Sequence, residues 1–101
     1  MNSGIYYIRC WATGRVYVGQ SGRLDRRWAE HRCALKAGKH SNKAFQEEWN
    51  FYGPKYFDFL IAEEMPFDVD KMLDRELEHQ LYFHGALYGV RLKDFKMVGE
   101  N

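Results

Sequence analysis

Gly4-Ile5-Tyr6-Tyr7-Ile8 is followed, after a short polar break, by Val16-Tyr17-Val18-Gly19, and these two runs decide the fold. Both are short, alternating, and rich in β-branched and aromatic residues, the composition of strands. Ala12-Thr13-Gly14-Arg15 lies between them and supplies a glycine-bearing turn, so the pair reads as a β-hairpin. Each strand carries a tyrosine, and a segment rich in arginine and histidine follows directly.

Downstream of the hairpin the periodicity changes. Ser21 is placed to N-cap a helix from about Gly22 to Ala37, stopped by Gly38. Trp28 and Leu35 supply its core stripe, and Arg27 and His31, four residues apart, share a face. Ser41 is the expected cap of a second helix to about Tyr52, with Phe45, Trp49 and Tyr52 as its apolar face and Gly53-Pro54 as its stop. Tyr56-Phe57-Asp58-Phe59-Leu60-Ile61-Ala62 reads as a third strand. After Pro66, Asp68 or Asp70 opens a third helix to about His84. Its buried stripe is predicted at Leu73, Leu77 and Leu81, with Glu76 on the flank. A short extra strand is expected somewhere between Leu87 and Val98. The order β-β-α-α-β-α predicts an α/β (α+β) fold: a small three-stranded sheet, mixed or antiparallel, flanked by helices. A single domain over residues 1–101 is the expectation for a chain of this length.

Composition narrows the function classes. With 46% hydrophobic and 17% aromatic residues the chain is globular rather than disordered. No apolar run approaches membrane-span length and no signal-like stretch opens the chain, so a soluble, cytoplasmic protein is expected. Cys10 and Cys33 lack metal-site spacing and read as free thiols. The net charge of +1 conceals an asymmetry: residues 1–50 hold nine Lys/Arg against four Asp/Glu, and residues 51–101 hold six against ten. A basic face opposite an acidic one is expected, with modest, salt-sensitive attraction for phosphate.

Taken singly, the chemical candidates are unremarkable. Tyr6 and Tyr17 are ordinary sheet aromatics, Arg27 and His31 an ordinary solvated face, His40 a loop residue, and Glu76 one more charge on an acidic helix. Glu76 and His79 have the spacing of carboxylate di-metal proteins, which need two such helices and further glutamates; only one is present. Asp68 and Asp70 lack the remaining ligands of a calcium loop. No serine–histidine pattern or glycine-rich phosphate loop occurs.

In combination they are specific. Gly4-Ile5-Tyr6, a ten-residue spacer, Tyr17-Val18-Gly19, Arg27-Trp28, His31, then Gly38, His40 and Ser41, the Ile61-Ala62-Glu63-Glu64-Met65-Pro66 run and Arg75-Glu76 together resemble the GIY-YIG nuclease family. The resemblance covers nearly the whole chain, and the layout is most similar to the phage intron-encoded homing branch. Valine for isoleucine in the second tripeptide conserves shape.

The resemblance implies a metal-dependent DNA endonuclease that nicks or cleaves phosphodiesters with one divalent ion, Mg²⁺ or Mn²⁺. It implies Tyr6, Tyr17, Arg27, His31, His40 and Glu76 as the catalytic set. Glu76 is the metal ligand, since one carboxylate on a mostly hydrated Mg²⁺ suits phosphate chemistry. Tyr6 is the general base. A phenol titrates near pH ~10 unperturbed, so ionisation near neutrality needs a neighbouring cation. Arg27 supplies that field and a planar fork for phosphate. His31 relays a proton or assists the leaving group, Tyr17 orients the water or a phosphate oxygen, and His40 contacts substrate or backbone. Gly19, Arg26, Lys39 and Arg91 are the further substrate-binding positions. Gly4 and Gly19 leave room for close backbone approach. Homing members carry an asparagine in a Gly-Tyr-Asn segment after the third helix; here the stretch is Tyr88-Gly89-Val90-Arg91, with arginine in its place. The expected partner is DNA, with targeting by self-association or a separate protein, in a prokaryotic or phage-infected cell. The alternatives are a non-catalytic nucleic-acid-binding module on the same fold and a partner-dependent repair or junction nuclease.

Overall fold

The strand Gly4–Cys10 (β1) is buried along most of its length, with Ile5 and Ile8 wholly inaccessible, because it forms the centre of the sheet. A computed structural model describes residues 2–88. Val16–Ser21 (β2) pairs with β1 on one side and Phe57–Glu64 (β3) on the other, both antiparallel, in the order β2-β1-β3. The sheet is therefore purely antiparallel, and the hairpin places Tyr6 opposite Gly19 and Ile8 opposite Tyr17.

Alternation sends the side chains of β1 and β2 to two different cores. Tyr6, Ile8, Cys10 and Tyr17 pack on one face with Leu24 and Leu35 of the helix Leu24–Lys36 (α1) and Phe45 and Trp49 of the helix Lys43–Tyr52 (α2). Ile5, Val16 and Val18 pack on the other face, with Tyr7, Ala62 and Phe83 partly buried against them. The helix Val69–Tyr82 (α3) lies against β2 and β1.

Both motif glycines are required by close approach. At Gly4, with φ +157°, a Cβ would collide with the main-chain oxygen of Glu63, next to a bulge that shifts the β1–β3 register between Ile5 and Tyr6. At Gly19 a Cβ would collide with the hydroxyl of Tyr6. The expected close approach of backbone is thus found at Gly4, whereas at Gly19 the approaching group is the Tyr6 side chain.

Helix boundaries depart from expectation where caps come from elsewhere. Ser21 does not cap α1; its Oγ accepts the N–H of Arg23 instead. The first N–H groups of α1 are satisfied from the start of the chain: Leu24 N–H by the carbonyl of Asn2, and Asp25 N–H by the Asn2 Oδ1. The cap of α2 is Asn42 rather than Ser41, its side chain accepting from the N–H of Phe45. Asp68 does cap α3, accepting from the N–H of Lys71, and that helix ends at Tyr82 rather than His84.

The larger correction concerns α3. Its buried residues are Met72, Glu76 and Gln80, while Leu73 and Leu81 are 46% and 49% exposed. The helix is rotated by about one residue from the apolar pattern because polar ties fix it. Gln20 donates to Glu76, Tyr7 and His79 bond through the hydroxyl and Nδ1 at 2.5 Å, and Arg75 donates to Glu63 at 2.9 Å. One polar tie thus reaches each strand. Leu87 makes one isolated parallel bridge to Val16; the rest of the stretch expected to hold a short strand, beyond Tyr88, lies outside the described residues.

Candidate functional site

Tyr6 stands at the centre of a polar chain buried beneath α1. It is 1% exposed and its ring stacks on Phe59. Its hydroxyl lies 2.7 Å from His31 Nε2 and accepts from Arg27 Nε at 3.1 Å. The sequence delivers both partners by one device: Arg27 and His31 are a turn apart on α1, and His31 falls on the helix's buried stripe with Leu24 and Leu35. His31 Nδ1 bonds His40 Nε2 at 2.8 Å, and the rings stack with centroids 5.0 Å apart. His40 Nδ1 accepts the main-chain N–H of Asn42, and the His40 N–H donates to Gln46 Oε1. Tyr17 sets its ring edge-on to both histidines.

Above this chain opens a cleft of about 240 Å³ whose lining includes Tyr17, Arg27, Glu30, His31, Lys39 and His40. Glu30 pairs with Arg27 at 3.0 Å. Burial works against the charge of Arg27. The charge and hydrogen bond of Tyr6, with Glu30 adding, more than offset it, and the guanidinium is held above its ordinary value. The imidazole of His40 is pushed below its usual range, first by burial and then by the positive charge of Arg27. The cleft therefore holds a fixed cation beside a neutral imidazole.

Five expected residues, Tyr6, Tyr17, Arg27, His31 and His40, thus come together. Lys39 lines the same cleft, whereas Arg26 faces a neighbouring shallow groove on the outside of α1 with Ala29 and Cys33. His40 lines the cleft, and each of its ring nitrogens is bonded within the protein, one to His31 and one to the main-chain N–H of Asn42. Arg91 lies outside the described residues.

Glu76 belongs to α3 and reaches the sheet from the opposite face. It is 4% exposed, and its Oε1 accepts from Gln20 Nε2 at 3.3 Å. Gln20 follows Gly19, which carries the Tyr6 hydroxyl, and successive residues of a strand point to opposite faces. Hydroxyl and carboxylate are therefore anchored at consecutive positions of β2, an outer strand of the sheet. Among the described residues no group of three His, Cys, Asp or Glu side chains converges. A cage of nitrogen and sulfur ligands is thus not formed by them, whereas one buried carboxylate suits a hard, largely hydrated cation.

Three supporting residues escaped the sequence reading. Gln20 holds Glu76, Asn42 fixes the His40 ring, and Glu30 pairs with Arg27. The last was accessible from its i+3 spacing. Gln20 was accessible from strand alternation once α3 was placed on that face.

Comparison with known proteins accounts for the pattern. The model of the GIY-YIG catalytic domain matches residues 2–81. This chain belongs to the GIY-YIG family. Intron-associated endonuclease 1 of Enterobacteria phage T4 is 37% identical over 76 residues, which are 75% of this chain and 31% of that protein. The chain therefore spans about a third of the curated relative it matches. The solved catalytic domain of homing endonuclease I-TevI superposes with a TM-score of 0.73 at 31% identity, covering 83% of this chain and 87% of that one. A glutamate-to-alanine mutant of that domain gives the same TM-score, covering 85% and 84%. The antiparallel sheet and the β-β-α-α-β-α order are those of a GIY-YIG catalytic domain. No helix among the described residues is long and apolar enough to cross a membrane.

Proposed function

We propose that this domain is an endonuclease hydrolysing DNA phosphodiesters by attack of water, with Tyr6 as general base. The observation that carries this reading is the convergence of Arg27 Nε and His31 Nε2 on one buried phenol oxygen. A guanidinium at hydrogen-bond distance favours the phenolate over the neutral phenol. The phenolate then takes a proton from the attacking water.

Arg27 is exposed enough on its cleft side to contact a phosphate oxygen, and Lys39 adds positive charge at the rim. Tyr17 walls the cleft and orients the water or a phosphate oxygen. Glu76 would hold a single Mg²⁺ or Mn²⁺, which when bound supplies neutralisation of charge developing on the phosphate. Gln20 fixes one carboxylate oxygen. DNA is the partner proposed for the basic N-terminal half. One site cuts one strand, so cleavage of a duplex requires a second placement or a second copy.

Nicking of supercoiled plasmid tests this reading. Relaxed circles are expected with Mg²⁺, none with EDTA, and none from Glu76→Ala. DNA binding without nicking in Mg²⁺ and in Mn²⁺ would overturn this reading.

A further inference from the structure

The hydrogen bonds around the two stacked histidines have a direction, and one main-chain group sets it. The N–H of Asn42 can only donate, so His40 Nδ1, at 3.0 Å, must accept and carries no proton. The remaining ring nitrogen of a neutral His40 then carries the proton, and its Nε2–H donates to His31 Nδ1 at 2.8 Å. With Nδ1 occupied as an acceptor, His31 bears its own proton on Nε2, 2.7 Å from the Tyr6 oxygen. Arg27 Nε is a second obligatory donor to that oxygen. We propose that His40 is a positioning residue which, locked by the Asn42 N–H, makes His31 a hydrogen-bond donor to Tyr6, so that the phenol proton leaves to solvent and not to His31.

The consequence reverses the usual sense of a histidine beside a nucleophile or base. To receive the Tyr6 proton, His31 Nε2 would need a free lone pair, which requires a proton on Nδ1. That proton would point at His40 Nε2–H, two donors face to face in a buried space, with the Asn42 N–H blocking the alternative tautomer of His40. His31 is 3% exposed, so no water shell softens the conflict. The proton balance is therefore as follows. The Tyr6 O–H bond breaks, the proton passes to water and on to bulk buffer, and the electron pair stays on the phenol oxygen. Two N–H donors, His31 and Arg27, hold that phenolate. The same pair later takes one proton from the attacking water as the water oxygen bonds phosphorus. The P–O bond to the leaving oxygen breaks, that oxygen takes a proton from solvent, and Tyr6 is neutral as at the start. The depressed proton affinity of His40 accords with a ring that stays neutral. Only the second half of this cycle rests on the nuclease reading.

Long-range proton–nitrogen correlation spectra of the isotope-labelled chain at neutral pH read the tautomers directly. The expected result is a neutral ring protonated on Nε2 at both His31 and His40. A proton on Nδ1 of either ring, or an imidazolium at His31, overturns the inference. A second measurement compares His31→Gln with His31→Ala at matched melting temperature. A glutamine amide donates to Tyr6 and accepts from His40 but takes up no proton, so it should recover at least about tenfold in nicking rate over alanine, the value of a hydrogen bond to a charged oxygen. A glutamine variant no better than alanine overturns the donor role. Should the wild-type chain fail to nick in Mg²⁺ or Mn²⁺, the nuclease reading falls while the tautomers stand. Nicking with the opposite tautomers would overturn the inference alone.

Discussion

Tyr6 lies over Gly19, its hydroxyl occupying the space into which a Cβ at residue 19 would project. The two residues are register partners across β1 and β2, so the missing side chain of one is the room for the other. The second glycine of the motif is thus a condition on the position of the tyrosine in the first.

Gly19→Ala is therefore expected to displace the Tyr6 ring from Arg27 and His31. Overpacking of this kind costs about 1–3 kcal/mol, readable as a lower urea midpoint. Nicking should fall further than stability alone explains. In a Tyr6→Ala background the same substitution should cost little, and that non-additivity, measured as a double-mutant cycle, isolates the contact.

Gln20→Ala removes the donor to Glu76 Oε1 without touching the cleft. Loss of a residue that orients a metal-binding carboxylate weakens metal affinity by roughly 10–100-fold. The Mg²⁺ concentration for half-maximal nicking should rise by about that factor, with Mn²⁺ binding to the free protein weakened in parallel and the melting temperature little changed. Unchanged metal dependence would show the amide to be incidental.

A third expectation concerns acid stability. Glu63 is held below its ordinary carboxylate value of 4.5, first by its hydrogen bond to His79 and then by Arg75. A carboxylate with a depressed folded value stabilises the fold at pH above its unfolded value, and that contribution is lost as pH falls through the lower folded one. Urea midpoints should decline on acidification below about that ordinary value. Glu63→Gln should be less stable at neutral pH and show a shallower decline. The effect is modest, because Glu63 and Arg75 are partly solvated.

Much of this was legible before any coordinates. The hairpin follows from alternation in β1 and β2, and the shared face of Arg27 and His31 from one helical turn in α1. Those are local periodicities, which a single sequence carries. That this face meets Tyr6 was implied only by the family resemblance. What escaped depends on long-range polar contacts. Asn2 satisfies the start of α1 from more than twenty residues away, so Ser21 was a reasonable but incorrect cap. The leucines of α3 mark an apolar stripe, yet Gln20, Tyr7 and Glu63 turn Glu76 and His79 toward the sheet and leave Leu73 and Leu81 outside. His40 was placed in the site by its motif position, but its partners, His31 and the Asn42 N–H, emerge only when the loop closes on α1.

The most direct measurement is single-turnover nicking by Tyr6→Phe in saturating Mg²⁺. This change removes one oxygen from a ring whose packing against Phe59 and beside Gly19 is retained. With fold and DNA affinity matched to wild type, the rate is expected to drop by about 10²-fold or more, as for loss of a general base. Turnover near the wild-type rate would contradict the account and leave Tyr6 as a packed aromatic of the sheet.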